Sequence, residues 1–212
     1  MPASRKHPIL TILAGPNGSG KSTLASRLML EGAFGVLVNA DDIARSMAHR
    51  KGEAVPGKET QWEAAVSAEQ MRWTLLSQRI DFMTETVMSD GDRWIRFLAA
   101  AKEAGYKIVM YFVTTADPAI NVLRVSERVQ AGGHAVDPEK IVARYKRVME
   151  EVLPKALEFV DEAILFDNSD PESGLVGIMQ LKAGIMRSLV EPTEIPSWAK
   201  AVAIAFQSLP AR

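Results

Sequence analysis

The chain has no cysteine. Disulfides, thiolate metal sites and cysteine nucleophiles are therefore excluded, and the composition suits a reducing compartment, so a cytoplasmic location is expected. Charge of one sign is missing too: 25 Lys and Arg face 26 Asp and Glu, for a formal net charge of −1. No global attraction to nucleic acid or to an anionic membrane follows from that balance, and no basic stripe is visible. No apolar run approaches the roughly 20 residues of a membrane span; the stretch from Trp198 to Phe206 is far too short. The first apolar run begins near residue 8, so no signal segment is expected. Repeats, low-complexity linkers and shifts of composition are also lacking. With 212 residues and 47% hydrophobic composition, one domain over 1–212 is expected.

What is present is organised around Ala14 to Thr23, Ala-Gly-Pro-Asn-Gly-Ser-Gly-Lys-Ser-Thr. Gly15, Gly20, Lys21 and Ser22 fill the G-x-x-x-x-G-K-[ST] pattern of a phosphate loop. The preceding Pro8-Ile-Leu-Thr-Ile-Leu-Ala14 reads as a buried parallel strand. The following Thr23 to Leu30 carries Leu24 and Leu28 at helical spacing. Strand, glycine loop and helix thus occur in the order that phosphate binding needs. The glycines let backbone N–H groups close round a phosphate, and the helix N-terminus adds partial positive charge. Gly15, Pro16, Asn17, Gly18, Ser19, Gly20, Lys21, Ser22 and Thr23 are the expected nucleotide site. In it Lys21 reaches the terminal phosphates and the Ser22 hydroxyl ligates Mg²⁺.

Further along, Val36 to Val38 reads as a second strand ending at Asn39-Ala-Asp41-Asp42, and a helix starts near Ile43. A long helix is expected from about Thr60 to Gln78, with Trp62, Val66, Trp73 and Leu76 as its core stripe. Ile80 to Val87 is a third strand, Lys107 to Thr114 a fourth and Ala163 to Phe166 a fifth. Trp94, Phe97, Leu98 and Ala101 face one intervening helix inward, and Asp117-Pro118 opens another. Glu139 to about Leu153 is helical up to Pro154, and a helical tail is expected over about 172–212. Strands alternating with helices imply a parallel sheet covered on both faces, with its ligand beyond the C-terminal strand ends.

The polar residues that carry chemistry fall at those ends. One of Asp41 and Asp42 can serve as general base for a substrate hydroxyl. Asp41 is the choice, with Asp42 as a helix N-cap; both as caps is the alternative. Glu85, flanked by Thr84 and Thr86, interrupts an apolar run and so is either functional, binding Mg²⁺ or the acceptor, or half of a buried ion pair. Arg128, His134, Arg144 and Arg147 surround a Gly-Gly pair. They read as a lid over about 128–147 whose arginines meet the phosphates, or as a solvated basic face. His134 is equally an ordinary loop histidine. The Asp167-Asn-Ser-Asp170 loop either approaches a base or is a surface turn.

In these elements the chain resembles the zeta toxin family of P-loop kinases, particularly its short bacterial members. The resemblance rests on residues 15–23, Asn39-Ala-Asp-Asp-Ile-Ala44, Thr84-Glu-Thr86, Arg128-Val-Gln-Ala-Gly-Gly-His134, Ile141-Val-Ala-Arg-Tyr145 and Asp167-Asn-Ser169. It implies an adenylate-kinase-like five-stranded parallel sheet in the order 2-3-1-4-5 with a short helical lid. It also implies ATP- and Mg²⁺-dependent transfer to a sugar hydroxyl of UDP-N-acetylglucosamine. By the same resemblance Lys21, Asp41, Arg128 and Arg144 are catalytic. Asp41, Glu85, Thr86, His134 and Arg147 bind the acceptor, Ser22 and Glu85 hold the metal, and an antitoxin protein is a candidate partner. Two other readings remain: a kinase of another small hydroxylated metabolite or antibiotic, and an ATP-dependent switch with little transfer activity. Against the switch, no Asn-Lys-x-Asp guanine-recognition element occurs.

Overall fold

The computed structural model describes residues 7–31, 35–130 and 135–209. Its centre is the strand expected before the phosphate loop, β1 (Ile9–Ala14), which is buried almost throughout. Parallel neighbours flank it on both sides, β3 (Phe82–Thr86) and β4 (Lys107–Thr114). Outside these lie β2 (Val36–Asn39), parallel to β3, and β5 (Glu162–Asp167), parallel to β4. The expected 2-3-1-4-5 order is therefore present.

Two further strands extend it. The sheet has seven strands in the order β2-β3-β1-β4-β5-β6-β7, because β6 (Val176–Lys182) and β7 (Ile185–Ser188) add antiparallel to the β5 edge. This corrects the helical tail expected over about 172–212, where among the described residues helix is confined to α8 (Ser197–Gln207). The hairpin turns at Ala183 and Gly184, with φ of 50° and 75°. Two successive positive φ values match the right-handed twist of the paired strands. Covering the β5 edge also removes an open row of backbone donors and acceptors.

Helices cover both faces. On one side Leu13 and Val113 pack under α1 (Lys21–Glu31) through Leu24, Ala25 and Leu28. On the other, Leu10, Ile12 and Phe112 join a larger core with α3 (Lys58–Ser77), α4 (Gly91–Glu103) and α8. The alternation of Leu13 against Leu10 and Ile12 is the two-residue period of a strand buried on both faces. On α4, Trp94, Phe97, Leu98 and Ala101 are buried as expected.

On α3 the core stripe differs from the expected one. Trp62 is 68% exposed and Trp73 40% exposed, whereas Ala64, Ala68, Leu75 and Leu76 are buried. Small alanines let α3 approach α2 (Ala40–Lys51), along which it packs. After β4 come α5 (Pro118–Gln130) and α6 (Pro138–Arg147). A π-helical turn at Val148–Val152 then leads into α7 (Leu153–Leu157), with Pro154 in its first turn. Among the described residues no helix is long and apolar enough to cross a membrane.

Candidate active site

The phosphate loop leaves β1 at Ala14 and enters α1 at Lys21. Gly15 and Gly20 have φ of 145° and 101°, and a Cβ on Gly15 would stand 2.0 Å from the Val113 carbonyl oxygen. Two side chains hold the loop from behind. Asn121 donates through Nδ2 to the Asn17 carbonyl at 2.7 Å, and Asn168 donates through Nδ2 to the Ser19 carbonyl at 2.8 Å. Asn168 is fixed in turn by Arg124, whose Nη1 donates to its carbonyl at 2.7 Å. The loop after β5 thus packs against the phosphate loop instead of forming a free surface turn.

Lys21 is buried, and its Nζ donates to the Pro16 carbonyl at 3.0 Å. Burial pushes its ammonium below the ordinary lysine value, while the charges of Glu85 and Asp41 act in the opposite direction. Glu85 is pushed the other way: burial raises its carboxyl, opposed by the nearby Lys21. Ser22 donates through its hydroxyl to Glu85 Oε1 at 3.4 Å, and Asn39 donates through Nδ2 to Glu85 Oε2 at 2.8 Å. The carboxylate at the end of β3 is therefore embedded in a polar cluster, and among the described residues it makes no direct ion pair.

Asn39 also sets the neighbouring helix. Its Oδ1 accepts from the backbone N–H of Asp41 at 2.8 Å and of Asp42 at 3.4 Å, which makes it the N-cap of α2. This corrects the expectation that Asp42 caps the helix. Both aspartates lie in its first turn, and Asp42 pairs outward with Arg45 one turn on. An Asn side chain satisfies orphan first-turn N–H groups as well as an aspartate does.

A cleft of about 390 Å³ opens over these groups. Asn17, Gly18 and the run from Gly20 to Thr23 line it with Arg124 and Arg128, and Asn39, Asp41, Glu85, Thr86 and Val87 form its other part. The Thr86 hydroxyl accepts from the Met88 N–H at 2.8 Å, so it shapes the turn after β3 as well. The remaining arginines, one turn apart on α6, share a second cavity of about 490 Å³ with Ser89, Asp90, Asp92 and Glu151. Arg144 also donates towards Asn17 Oδ1 at 3.5 Å, beside the phosphate loop. Neither lines the main cleft, and Arg147, further along the helix, is not brought to it. His134 lies outside the described residues.

Two cleft arginines went unread in the sequence. Arg124 looked like one polar position on an amphipathic helix, and Arg72 sat within the apparent solvent face of α3. Only the β5 loop and the α3–α4 contact give them cleft positions.

A phosphate cradle at the C-terminal end of a 2-3-1-4-5 parallel sheet, with carboxylates at neighbouring strand ends, defines a P-loop kinase-like α/β protein. Within that class the chain belongs to the Zeta toxin family, whose model matches residues 1–172. The β6–β7 hairpin and α8 lie beyond that match. An uncharacterized protein of Haemophilus influenzae is 28% identical over 131 residues, covering 62% of this chain and 88% of its own. Among solved structures, the AvrRxo1-ORF1:-ORF2 complex with ATP superposes with a TM-score of 0.69 at 18% identity, over 97% of this chain and 66% of that one. The PezAT chromosomal toxin–antitoxin system of Streptococcus pneumoniae gives 0.63 at 16% identity, over 99% and 82%.

Proposed function

We propose that the protein is an ATP-dependent kinase that transfers the γ-phosphoryl group to a sugar hydroxyl of UDP-N-acetylglucosamine. The observation that carries this reading is the single cleft over which Lys21 and Ser22 face Asp41 and Glu85. Phosphoryl transfer asks chiefly for charge neutralisation and positioning, and that is what these groups supply.

In this mechanism the phosphate-loop N–H groups and Lys21 hold the β- and γ-phosphates. Binding replaces the Pro16 carbonyl by phosphate oxygens at Lys21 Nζ, so the ammonium exchanges a neutral acceptor for an anionic one. Asp41 accepts the proton of the acceptor hydroxyl. The hydroxyl oxygen forms the new bond to the γ-phosphorus as the bond to the bridging oxygen breaks, and ADP departs. Arg128 and Arg144 meet the charge that accumulates on the transferring group. The hydroxyl of Ser22 and the carboxylate of Glu85 are hard oxygen donors placed side by side, which suits Mg²⁺ completed by phosphate oxygens and water. When bound, that ion neutralises phosphate charge. Among the described residues no group of three or more acidic or imidazole side chains could hold a metal alone, in keeping with an ion that arrives with its nucleotide.

We further read residues 1–212 as one kinase unit acting in the cytoplasm, with Arg128 and Arg144 over the donor phosphates and Thr86 at the acceptor end of the cleft. The PezAT neighbour is a toxin–antitoxin system, which supports a search for a partner antitoxin.

The test is incubation of the purified protein with Mg-ATP and UDP-N-acetylglucosamine, followed by mass spectrometry. A phosphorylated sugar nucleotide is expected, and Asp41→Asn should abolish it. Transfer to another hydroxylated metabolite from a panel, with none to this one, overturns the acceptor. Tight ATP binding with no transfer to any acceptor in a whole metabolite extract overturns the kinase reading in favour of a switch.

A further inference from the structure

The wall of the cleft formed by α3 holds a cation that the reading above leaves unused. Arg72 lines the cleft together with Ala65, one α3 face, and with Glu85, Thr86 and Val87 from the end of β3. Its Cζ lies 5.0 Å from the centroid of the Trp94 ring. That ring is buried in α4 and held edge-on by Phe97 at 5.7 Å, so the platform beneath the guanidinium is rigid.

Among the described residues the guanidinium has no direct carboxylate partner. Glu69, one turn back on α3, is engaged by Arg93 at 3.4 Å. Among the described residues no carboxylate oxygen comes within ion-pair distance of Arg72, and no residue accepts a hydrogen bond from it. Burial pushes the group below its ordinary value, with the Glu69 charge as partial compensation. Cation–π contact recovers part of the cost of desolvation but leaves five N–H donors unmatched. A long, flexible arginine on a plain solvent face would swing into water. Here the ring keeps the planar fork inside the cleft, pre-organised for two parallel bonds to an oxyanion.

Topology assigns that oxyanion to the acceptor. The donor loop follows β1, and Arg124 and Arg128 approach it from α5, on the β4 side. The α3 helix packs on α2 and β2, at the opposite edge of the sheet. A negatively charged acceptor on that side would also meet the carboxylates of Asp41 and Glu85, and needs a compensating cation there.

We propose that Arg72, seated on the Trp94 ring, holds the phosphate of the anionic acceptor. This rests on the phosphotransfer reading of the same cleft and adds the residue that recognises the acceptor's charge. The experiment compares the natural protein with Arg72→Met and Arg72→Lys. A charged hydrogen bond lost from a partly buried site corresponds to roughly 10–100-fold in affinity. Arg72→Met should raise KM for UDP-N-acetylglucosamine by that factor, with a smaller loss in kcat, while KM for the neutral N-acetylglucosamine stays put. Arg72→Lys, which keeps the charge but not the fork, should fall between. Thermal melting of both variants checks the fold, and the lysine variant carries the comparison if the methionine variant melts early.

If UDP-N-acetylglucosamine proves not to be an acceptor, the function above fails by itself. Arg72 is then judged by titrating inorganic pyrophosphate into the ADP-saturated protein. Binding at least tenfold weaker in a folded Arg72 variant supports the anion site. Equal pyrophosphate affinity, or an equal rise of KM for charged and neutral sugars, overturns it.

Discussion

Asn39 and Glu85 meet at the ends of adjacent strands, where Asn39 Nδ2 donates to Glu85 Oε2 at 2.8 Å. The same residues are in register across the β2–β3 pairing. One amide thus holds the carboxylate with its nitrogen and caps α2 with its oxygen, placing Asp41 beside Glu85 in a single step. Asn39→Ala should therefore cost both a cap and an acceptor-site contact. About 1 kcal/mol is expected for the cap alone. Asn39→Asp keeps the cap but sets a second carboxylate against Glu85. Activity should fall in both variants, while urea melts should show the larger stability loss in Asn39→Ala at low pH, where the added carboxylate is neutral.

Glu85 should make the nucleotide-free protein sensitive to pH. Its carboxyl is held above its ordinary value of 4.5, chiefly by burial. The folded chain then binds this proton more tightly than the unfolded chain. The group's contribution is fully favourable below 4.5 and is lost as pH rises through the raised value. Glu85→Gln removes that penalty. Its melting temperature should exceed that of the natural protein at neutral pH, and the difference should vanish near about pH 4. Transfer activity should drop in the same variant. Equal melting temperatures at neutral pH would contradict the assigned environment.

The two arginines of α6 should separate in kinetics. Both line the second cavity beside Asp90 and Glu151, but Arg144 also reaches Asn17 on the phosphate loop. Arg144→Ala should reduce kcat by roughly 10²–10³, the usual loss for one donor aimed at developing charge. Arg147→Ala, outside the main cleft, should leave both kcat and the acceptor KM near their natural values. Steady-state rates with both substrates varied would decide.

Gly15 should tolerate no side chain. A Cβ there would lie 2.0 Å from the Val113 carbonyl, a backbone atom that cannot move away without disturbing β4. Strain at such a φ alone costs about 1–3 kcal/mol. Gly15→Ala should lower the melting temperature by several degrees and weaken ATP binding. At Gly20 the clash is with Asn168 Nδ2, at 2.3 Å, a side-chain atom that can move by giving up its bond to the Ser19 carbonyl. Gly20→Ala should be the milder change in stability, measured by the same melts.

The segment beyond the family match should act as an edge guard and a brace. Trp198 on α8 donates through Nε1 to Asp167 Oδ2 at 2.6 Å, and Asp167 Oδ1 accepts from the Ser169 N–H at 2.7 Å. Asn168, between them, supports the Ser19 carbonyl. Truncation after residue 172 should expose the β5 edge and produce aggregation, visible by light scattering. Trp198→Phe keeps the packing and loses one bond, so it should weaken nucleotide binding several-fold with little aggregation.

The sequence by itself determined the phosphate loop, the five parallel strands and the strand ends that carry the polar residues, while their order in the sheet came from the family resemblance. Each is a local matter: Gly15 and Gly20 serve φ values that glycine favours, β1 is apolar because both its faces are covered, and Glu85 stands out against an apolar run. What only the tertiary structure decided depends on contacts between distant segments. Asn39 rather than Asp42 caps α2, since an Asn already bonded to Glu85 is aimed at the first turn. Trp62 lies outside the core, because the approach of α3 to α2 is made through Ala64 and Ala68. The pattern Val176 to Ser188 becomes a hairpin only because the β5 edge is there to receive it. Arg72 enters the cleft through a tryptophan on another helix, and Arg144 and Arg147, three residues apart, share a second cavity from which only Arg144 reaches the phosphate loop. Periodicity along a chain says which residues share a face; the partner that face meets is set by packing across the sheet.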